Sequence, residues 1–405
     1  MAERTPTPEN FIVIWLDPTR NAQHTDTKSF ISHFQELVHL VLLVNNTEEF
    51  VSYISDIKHE RIFLIICEHL AQQVVTFAVD FPQIDSIYVH CKDRDQFEKW
   101  ASKEIKIKGV FNKIEPIYDA LRRDIRQCED DLIPISITTS IHRCDQSFLY
   151  PQLMKEILFD MTYSPDSKFN FAEKCITSLY RGNTFQLKRI EQFASEDDPL
   201  SSIRWYTSEC FVYSILNKAF RLEDMTTLLE MGFFICDLHR AITERHVRSN
   251  QFDRLTVYRG QGLSKKIFQT IVDNRGGFLS FNNFLITSTD KDVAFAYARS
   301  ARDSHQLIGV LFHMEIDRSK AIFTSLDKIS YHGEVNDEIL FSTHTIFRIK
   351  RFQKLENHFW EVHLTLTVDE DEDLRKLKRF IRRRIEGKTV DERLNLLEEM
   401  DVSKV

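Results

Sequence analysis

The stretch LTVYRGQGLS (255–264) puts an arginine and a glycine directly behind a β-branched run that ends in Tyr258. By itself it describes a strand that closes on a solvated charge and a turn. It also describes an anion clamp, in which a guanidinium is held at a strand terminus and Gly260 lets phosphates come close. The flanking sequence has to choose between them. On its C-terminal side lies a series of extended segments: GGFLSFNNFLITST (276–289), IGVLFHMEI, AIFTSL, EILFSTHTIFRIKRFQ and FWEVHLTLTV. One helical segment, DKDVAFAYARSA (290–301), interrupts them, with Thr289 and Asp292 spaced for an N-cap. On its N-terminal side, from about 147 to 250, apolar residues recur at helical spacing in PQLMKEILFDMTY, FNFAEKCITSLYRG, TFQLKRIEQFAS, SSIRWYTSECFVYSILNKAFR and EDMTTLLEMGFFICDLHRAITE. Trp205, Phe211, Leu216 and Phe220 are core residues in this pattern. A helical lobe followed by a β-rich lobe makes an α+β domain.

Residues 10–128 carry a different pattern. FIVIWLD, LVLLVN, RIFLIIC, IDSIYVHC and KIKGVF are apolar runs that alternate with helical segments over short connections. That predicts an α/β domain with a five-stranded, doubly wound parallel sheet, of the receiver-like or flavodoxin-like kind. Such folds bind ligands at the carboxyl ends of their strands. Receivers place a phospho-accepting aspartate at the end of the third strand, where this chain has Ile66-Cys67-Glu68. Asp17 ends the first strand. The expectation is therefore an adaptor domain without phosphorelay chemistry. The resulting division is 1–129 receiver-like, 130–146 linker, 147–368 α+β domain and 369–405 charged helical tail.

Composition narrows the function class. The 405 residues have a formal net charge of −8, which does not favour nucleic acid as a partner. No apolar run approaches the roughly 18 residues that span a bilayer, and MAERTPTPEN has no apolar leader core. A cytoplasmic protein without a membrane partner is expected. The seven cysteines form no C-x-x-C pair, so neither a metal site nor a disulfide framework is expected. In the tail, RKLKRFIRRR (375–384) is basic at seven of ten positions and carries the apolar stripe Leu374, Leu377, Phe380, Ile381 and Ile385. That is an amphipathic helix first, and a nuclear-localisation or anionic-surface patch second. Thr389 and Glu392 form a capping box.

Three pieces of the β-rich lobe combine: Arg259 at its strand end, the hydroxyl cluster Thr287-Ser288-Thr289, and the NDEILF strand with Asp337 and Glu338. In these residues 147–368 resembles the toxin-like mono-ADP-ribosyltransferases of the arginine-serine-glutamate class. VYRGQ is similar to that class's arginine strand, GGFLSFNNFLITST to its S-x-x-F-x-S-T-S strand, and NDEILF to the strand that opens with E-x-E. The preceding receiver-like domain is similar to one that accompanies such enzymes in bdelloid rotifer proteins. The resemblance implies NAD as substrate, no metal, and an acceptor protein as partner. Arg259 and Gly260 would hold the pyrophosphate, Glu338 would be the catalytic acid on the ribose, and Ser288 would support it. Ile286 stands where the first serine of the motif aligns, and a one-residue shift hands that role to Ser288 or Thr287. Asn336 stands at the first glutamate of E-x-E, the residue that orients an acceptor arginine, with Glu334 two residues earlier. The function implied is transfer of ADP-ribose from NAD to a protein side chain, or hydrolysis of NAD. The alternative is a degenerate module on the same fold that binds NAD or a partner without turnover.

Overall fold

The computed structural model describes residues 8–139, 146–208, 210–248, 254–302, 307–317, 322–331, 337–367 and 371–400. The chain falls into two compact units: everything described before Asp130 together with Ala172–Ser195, and Asp130–Phe171 together with the described residues from Glu196 onward.

The first unit begins with β1 (Phe11–Leu16), α1 (Thr25–Phe34), β2 (Leu40–Val44), α2 (Thr47–Asp56), β3 (Arg61–Cys67), α3 (Glu68–Ala78), β4 (Ile84–His90), α4 (Arg94–Ala101) and β5 (Ile107–Phe111). α5 (Glu115–Asp131) follows. Its five strands are parallel in the order β2-β1-β3-β4-β5. A parallel pair needs a crossover, and the helices supply it. β1 is buried along its whole length, so it shows as a continuous apolar run with no alternation. α3 buries Ala71, Val74, Val75 and Ala78, an i, i+3, i+4, i+7 stripe. The strands and helices expected between 10 and 128 all form, with ends shifted by a few residues.

The chain continues through β6 (Ile135–Thr138), α6 (Gln146–Asp160), α7 (Ser167–Lys174), α8 (Thr184–Ser195), α9 (Ser202–Thr207), α10 (Phe211–Leu222), α11 (Met225–Glu230) and α12 (Gly232–Arg248). Then come β7 (Arg254–Ser264), α13 (Lys265–Asp273), β8 (Phe278–Phe281), β9 (Leu285–Ser288), α14 (Lys291–Arg302), β10 (Leu307–Asp317), β11 (Phe323–Ser325) and β12 (Glu338–Phe341). β13 (Thr345–Glu356), β14 (Phe359–Leu366), α15 (Glu372–Ile385) and α16 (Val390–Met400) complete it. Nine strands form one hydrogen-bonded sheet, ordered β11-β12-β9-β7-β10-β14-β13-β8-β6. One face carries the main core, including Val257, Phe312, Met314, Val362 and Leu364. Burying each such side chain stabilises the fold by roughly 1.5–3 kcal/mol.

Several segments differ from the sequence reading: 201–221 is two helices, α9 and α10, and EILFSTHTIFRIKRFQ is two strands, β12 and β13. The stretch 276–289 is two strands, not one, and β8 and β9 lie far apart in the sheet order. Asn282 and Asn283 between them are buried, and their side chains bond Ser136 and Asn217. These bonds hold the chain where it leaves one part of the sheet for another. The helical stretch 223–244 is broken into α11 and α12 at Gly232, where a Cβ would lie 2.0 Å from the Tyr163 hydroxyl. In 130–146, read as a linker, β6 pairs with β8. Residues 172–195, read as part of the helical lobe, go with the first unit, where buried Tyr180 donates to Glu9 at 2.8 Å and Asn183 donates to the Gln35 carbonyl at 3.1 Å.

Candidate functional site

Arg259 lies within β7, and its strand continues to Ser264. Its side chain is 6% exposed. Nη1 donates to the Ile286 carbonyl at 2.7 Å, and Nη2 donates to the Asp130 carboxylate at 2.7 Å. Nε is buried and has no hydrogen-bond partner. The solvated strand-end charge is thus replaced by an oriented guanidinium with one unused donor. Sequence reasoning missed Asp130. The only signal was the acidic pair at the end of α5, where Asp131 also accepts from the Gly262 backbone N–H.

Strand pairing brings the other two pieces together. In the order β12-β9-β7, Glu338 is the register partner of Ser288, and Ser288 is the partner of Tyr258. Directly opposed residues in an antiparallel ladder have Cβ atoms about 4.5–5.5 Å apart. Glu338 is half-buried, as are Ser288 and Ile286. The residue before it, Asp337, has φ 78°, a conformation that costs a non-glycine residue about 1–3 kcal/mol. Thr289 holds Asp337 in it: its N–H donates to the Asp337 carbonyl at 2.7 Å, and its hydroxyl to the carboxylate at 2.9 Å. Thr287 is buried and donates to the Ile339 carbonyl at 3.2 Å. Ser288 Oγ accepts from the Asp290 N–H at 3.0 Å, which leaves its proton free for a second bond. Thr287 and Thr289 therefore fix the start of β12. Thr289 does not cap α14 as the sequence suggested: Asp290 accepts from the Asp292 N–H at 2.8 Å. Asn336 and Glu334 lie outside the described residues.

At Gly260 the structure shows a close approach by a helix. A Cβ there would lie 1.9 Å from the Ala294 carbonyl and 2.5 Å from the Ala298 nitrogen, so its missing side chain admits the backbone of α14. Gly309 on β10 does the same, with a Cβ position 2.2 Å from the Ala298 carbonyl. α14 thus sits closely on β7 and β10 through Ala294 and Ala298, beside Leu311 and Phe359. The close approach is helix to strand, and it stiffens the strand that carries Arg259.

β12 is also held at its far end. His239 Nδ1 lies 2.7 Å from Ser342 Oγ, and its ring stacks on Phe159 at 4.3 Å. Burial, with a smaller contribution from the Lys155 charge, pushes His239 down to about 4. The imidazole is therefore neutral at ordinary pH.

Among the described residues, the strand ends of the first unit hold no comparable set. Burial pushes the Cys67 thiol up, against a nucleophilic thiolate. None of the six described cysteines is in a disulfide, and five of them are buried. In the tail, α15 buries Leu374, Leu377, Ile381 and Ile385, while Phe380 is 38% exposed under the Arg384 guanidinium. Thr389 and Glu392 form the expected capping box, at 2.8 and 3.3 Å. No helix of the described residues is long and apolar enough to cross a membrane.

No protein-family profile and no curated protein matches the chain. Among solved structures, it is similar to the Salmonella SpvB ATR domain, at 16% identity over 42% of this chain and 100% of that one, with a TM-score of 0.32. It is similar to the ADP-ribosyltransferase HopU1 of Pseudomonas syringae pv. Tomato, at 15% identity over 54% of this chain and 97% of that one, with a TM-score of 0.32. It is also similar to exoenzyme S from Pseudomonas aeruginosa, solved bound to carba-NAD with a 14-3-3 protein, at 14% identity over 58% and 98%, with a TM-score of 0.32. Overlaps of that size leave the chemistry to be decided by this chain's own side chains.

Proposed function

We propose that the second unit is an NAD-dependent mono-ADP-ribosyltransferase, which moves ADP-ribose from NAD to a protein side chain or to water. One observation carries this reading: Glu338 and Ser288 are cross-strand partners, and β7 with Arg259 is the next strand. The orphaned, buried Nε of Arg259 fits an anionic ligand, because neither Asp130 nor Ile286 uses that donor. Under this reading Arg259 pairs with the pyrophosphate, and its planar guanidinium offers two-pronged contact. Glu338 accepts from the 2′-hydroxyl of the nicotinamide ribose. Its negative charge stabilises the oxocarbenium-like ribose that forms as the bond to nicotinamide breaks. Ser288 uses its remaining proton to orient Glu338. In the sequence motif Asn336 aligns with the acceptor-orienting glutamate; an amide accepts a hydrogen bond but is no general base, so this reading has transfer to arginine slowed relative to hydrolysis. The first unit is a receiver-like adaptor, with the sheet order of a doubly wound fold and no aspartate at the end of its third strand.

The test is nicotinamide release from NAD by the purified full chain, with labelled acceptor protein as a second assay. Glu338→Ala lowers release about 100- to 1000-fold, the usual cost of removing one preorganised charge from a reaction centre. Equal rates for the two proteins in both assays rule the reading out.

A second reading is a degenerate module that binds NAD without turnover. Ile286 and Asn336 favour it, since they stand where the motif has its first serine and its first glutamate. Calorimetry then shows NAD binding that Arg259→Ala weakens, with no nicotinamide released by the native chain. Detectable release excludes it.

A further inference from the structure

β10 and β14 run parallel, and His313 is the register partner of His363. Glu361 lies two residues before His363, so strand alternation puts both on one face. The three side chains converge. His313 Nδ1 is 3.4 Å from Glu361 Oε1, and His363 Nε2 is 3.6 Å from Glu361 Oε2. One ligand atom from each lies within 4.8 Å of the others. The side chains of Glu361 and His363 are 5% and 9% exposed, and that of His313 is 20% exposed. His363 Nε2 is buried and has no hydrogen-bond partner. Leaving such an atom unsatisfied costs about 1–3 kcal/mol, so something that satisfies it stabilises the fold.

From these positions we propose that His313, Glu361 and His363 form a binding site for a divalent first-row transition metal, with Zn²⁺ and Co²⁺ as suitable ions. Two imidazoles and one carboxylate are a donor set for such ions, not for calcium or magnesium, which take oxygen ligands. Ligands at about 2.0–2.2 Å on a tetrahedral ion lie roughly 3.4 Å apart, close to the two nitrogen-to-carboxylate distances here. The imidazole rings are 4.4 Å apart at their centroids, so a small rotation lets both nitrogens reach one ion. Lys291 now supplies the positive charge that Glu361 requires, with Nζ 2.8 Å from Oε1. It is the first residue of α14 and its side chain is 46% exposed, so the ammonium can leave for solvent when a metal enters. The site continues the row of Glu338, Ser288 and Tyr258 across the next two strands, since Tyr258 is the register partner of His313 and His313 that of His363. Lys291 stands over the Tyr258 ring at 5.7 Å, and the His313 ring packs against Tyr258 at 5.1 Å.

Stripping the full chain with a chelator and titrating it with Co²⁺, followed by calorimetry and by visible ligand-field absorption, tests this. One ion binds per chain with an absorption band of nitrogen and oxygen ligation. His363→Ala and Glu361→Gln each weaken binding at least 30-fold, and Lys291→Met strengthens it several-fold by removing the competing ammonium. Where His363→Ala does not fold, His313→Gln takes its place, since that ring is the most exposed of the three. The absence of Co²⁺ binding overturns the proposal, as does binding that the ligand substitutions leave unchanged, since other histidines would then hold the ion.

Discussion

Two strand-end carboxylates in this chain are treated in opposite ways. Asp17 closes β1, is 3% exposed, and is answered within its own loop. Thr19 donates to it through its N–H at 3.0 Å and its hydroxyl at 2.7 Å, and Arg20 Nε lies 3.3 Å away. Glu338 opens β12, stays half-buried, and faces a serine brought from another strand. An acid satisfied by residues two and three positions away is a structural fitting. An acid set against a hydroxyl by long-range pairing, behind a strained residue such as Asp337, is arranged for something else. The largest expected effect tests this contrast directly. Glu338→Gln lowers nicotinamide release about 100- to 1000-fold, whereas Asp17→Asn changes it less than twofold. Comparable losses from the two substitutions, measured on proteins of equal thermal stability, break the comparison.

The next effect concerns the strand that carries Arg259. Gly260→Ala drives a methyl into the α14 backbone, 1.9 Å from the Ala294 carbonyl. Backbone cannot rotate away as a side chain can, so about 3 kcal/mol of stability is lost. A urea midpoint that does not move shows that α14 yields, and that Gly260 is not needed for this packing.

How much of this was legible follows from how far apart the interacting residues lie in the chain. The parallel sheet could be read from 10 to 128 because each strand is a continuous apolar run and each helix returns the chain to a neighbouring position. The nine-stranded sheet could not be ordered in the same way. FLSF and LITS are three residues apart and look like one strand, yet they take distant places because buried Asn282 and Asn283 turn the chain between them. Arg259, Ser288 and Glu338 were singled out by residue type and by a motif resemblance, and their strands are neighbours in the sheet. The residues that touch them were not singled out: Asp130 is 129 positions from Arg259, and nothing in a pair of helix-terminal aspartates announces that contact. The α14 backbone against Gly260 was not legible either, because a sequence shows that a close approach is permitted but not what approaches. His313, Glu361 and His363 escaped for a similar reason, since His313 lies 48 positions before Glu361 with three strands between them and no cysteine marks the set.

A smaller effect is expected at the far end of β12. His239 is held near 4, below the ordinary 6.5, so the folded chain disfavours its protonated form. The unfolded chain takes up that proton as pH falls below about 6.5, and the folded chain does so only near 4. Stability contributed by the neutral ring is therefore present above pH 6.5 and is lost progressively from there down to about 4. The displacement corresponds to about 2 kcal/mol once solvent screening of a partly exposed ring is allowed for. His239→Gln removes that part of the acid dependence while keeping a partner for Ser342. Urea midpoints measured across this pH range check it, and an unchanged slope in the variant rejects it.

The smallest effect separates two accounts of Arg259. Asp130 either supports the guanidinium for a ligand or stands in the ligand's place. Asp130→Asn keeps an acceptor oxygen for Nη2, now 2.7 Å from Asp130 Oδ1, but takes away the negative charge. The guanidinium then lacks an anion, and the buried cation lowers the stability of the free protein by about 1 kcal/mol. A pyrophosphate no longer has to displace a carboxylate, so NAD binds roughly 5- to 10-fold more tightly by calorimetry, about 1 kcal/mol. Tighter binding with a less stable free protein identifies Asp130 as a competitor that NAD must displace. Weaker binding instead makes it a support that holds Arg259 in position, and the mid-strand arginine then depends on its acid as Asp17 depends on Thr19 and Arg20.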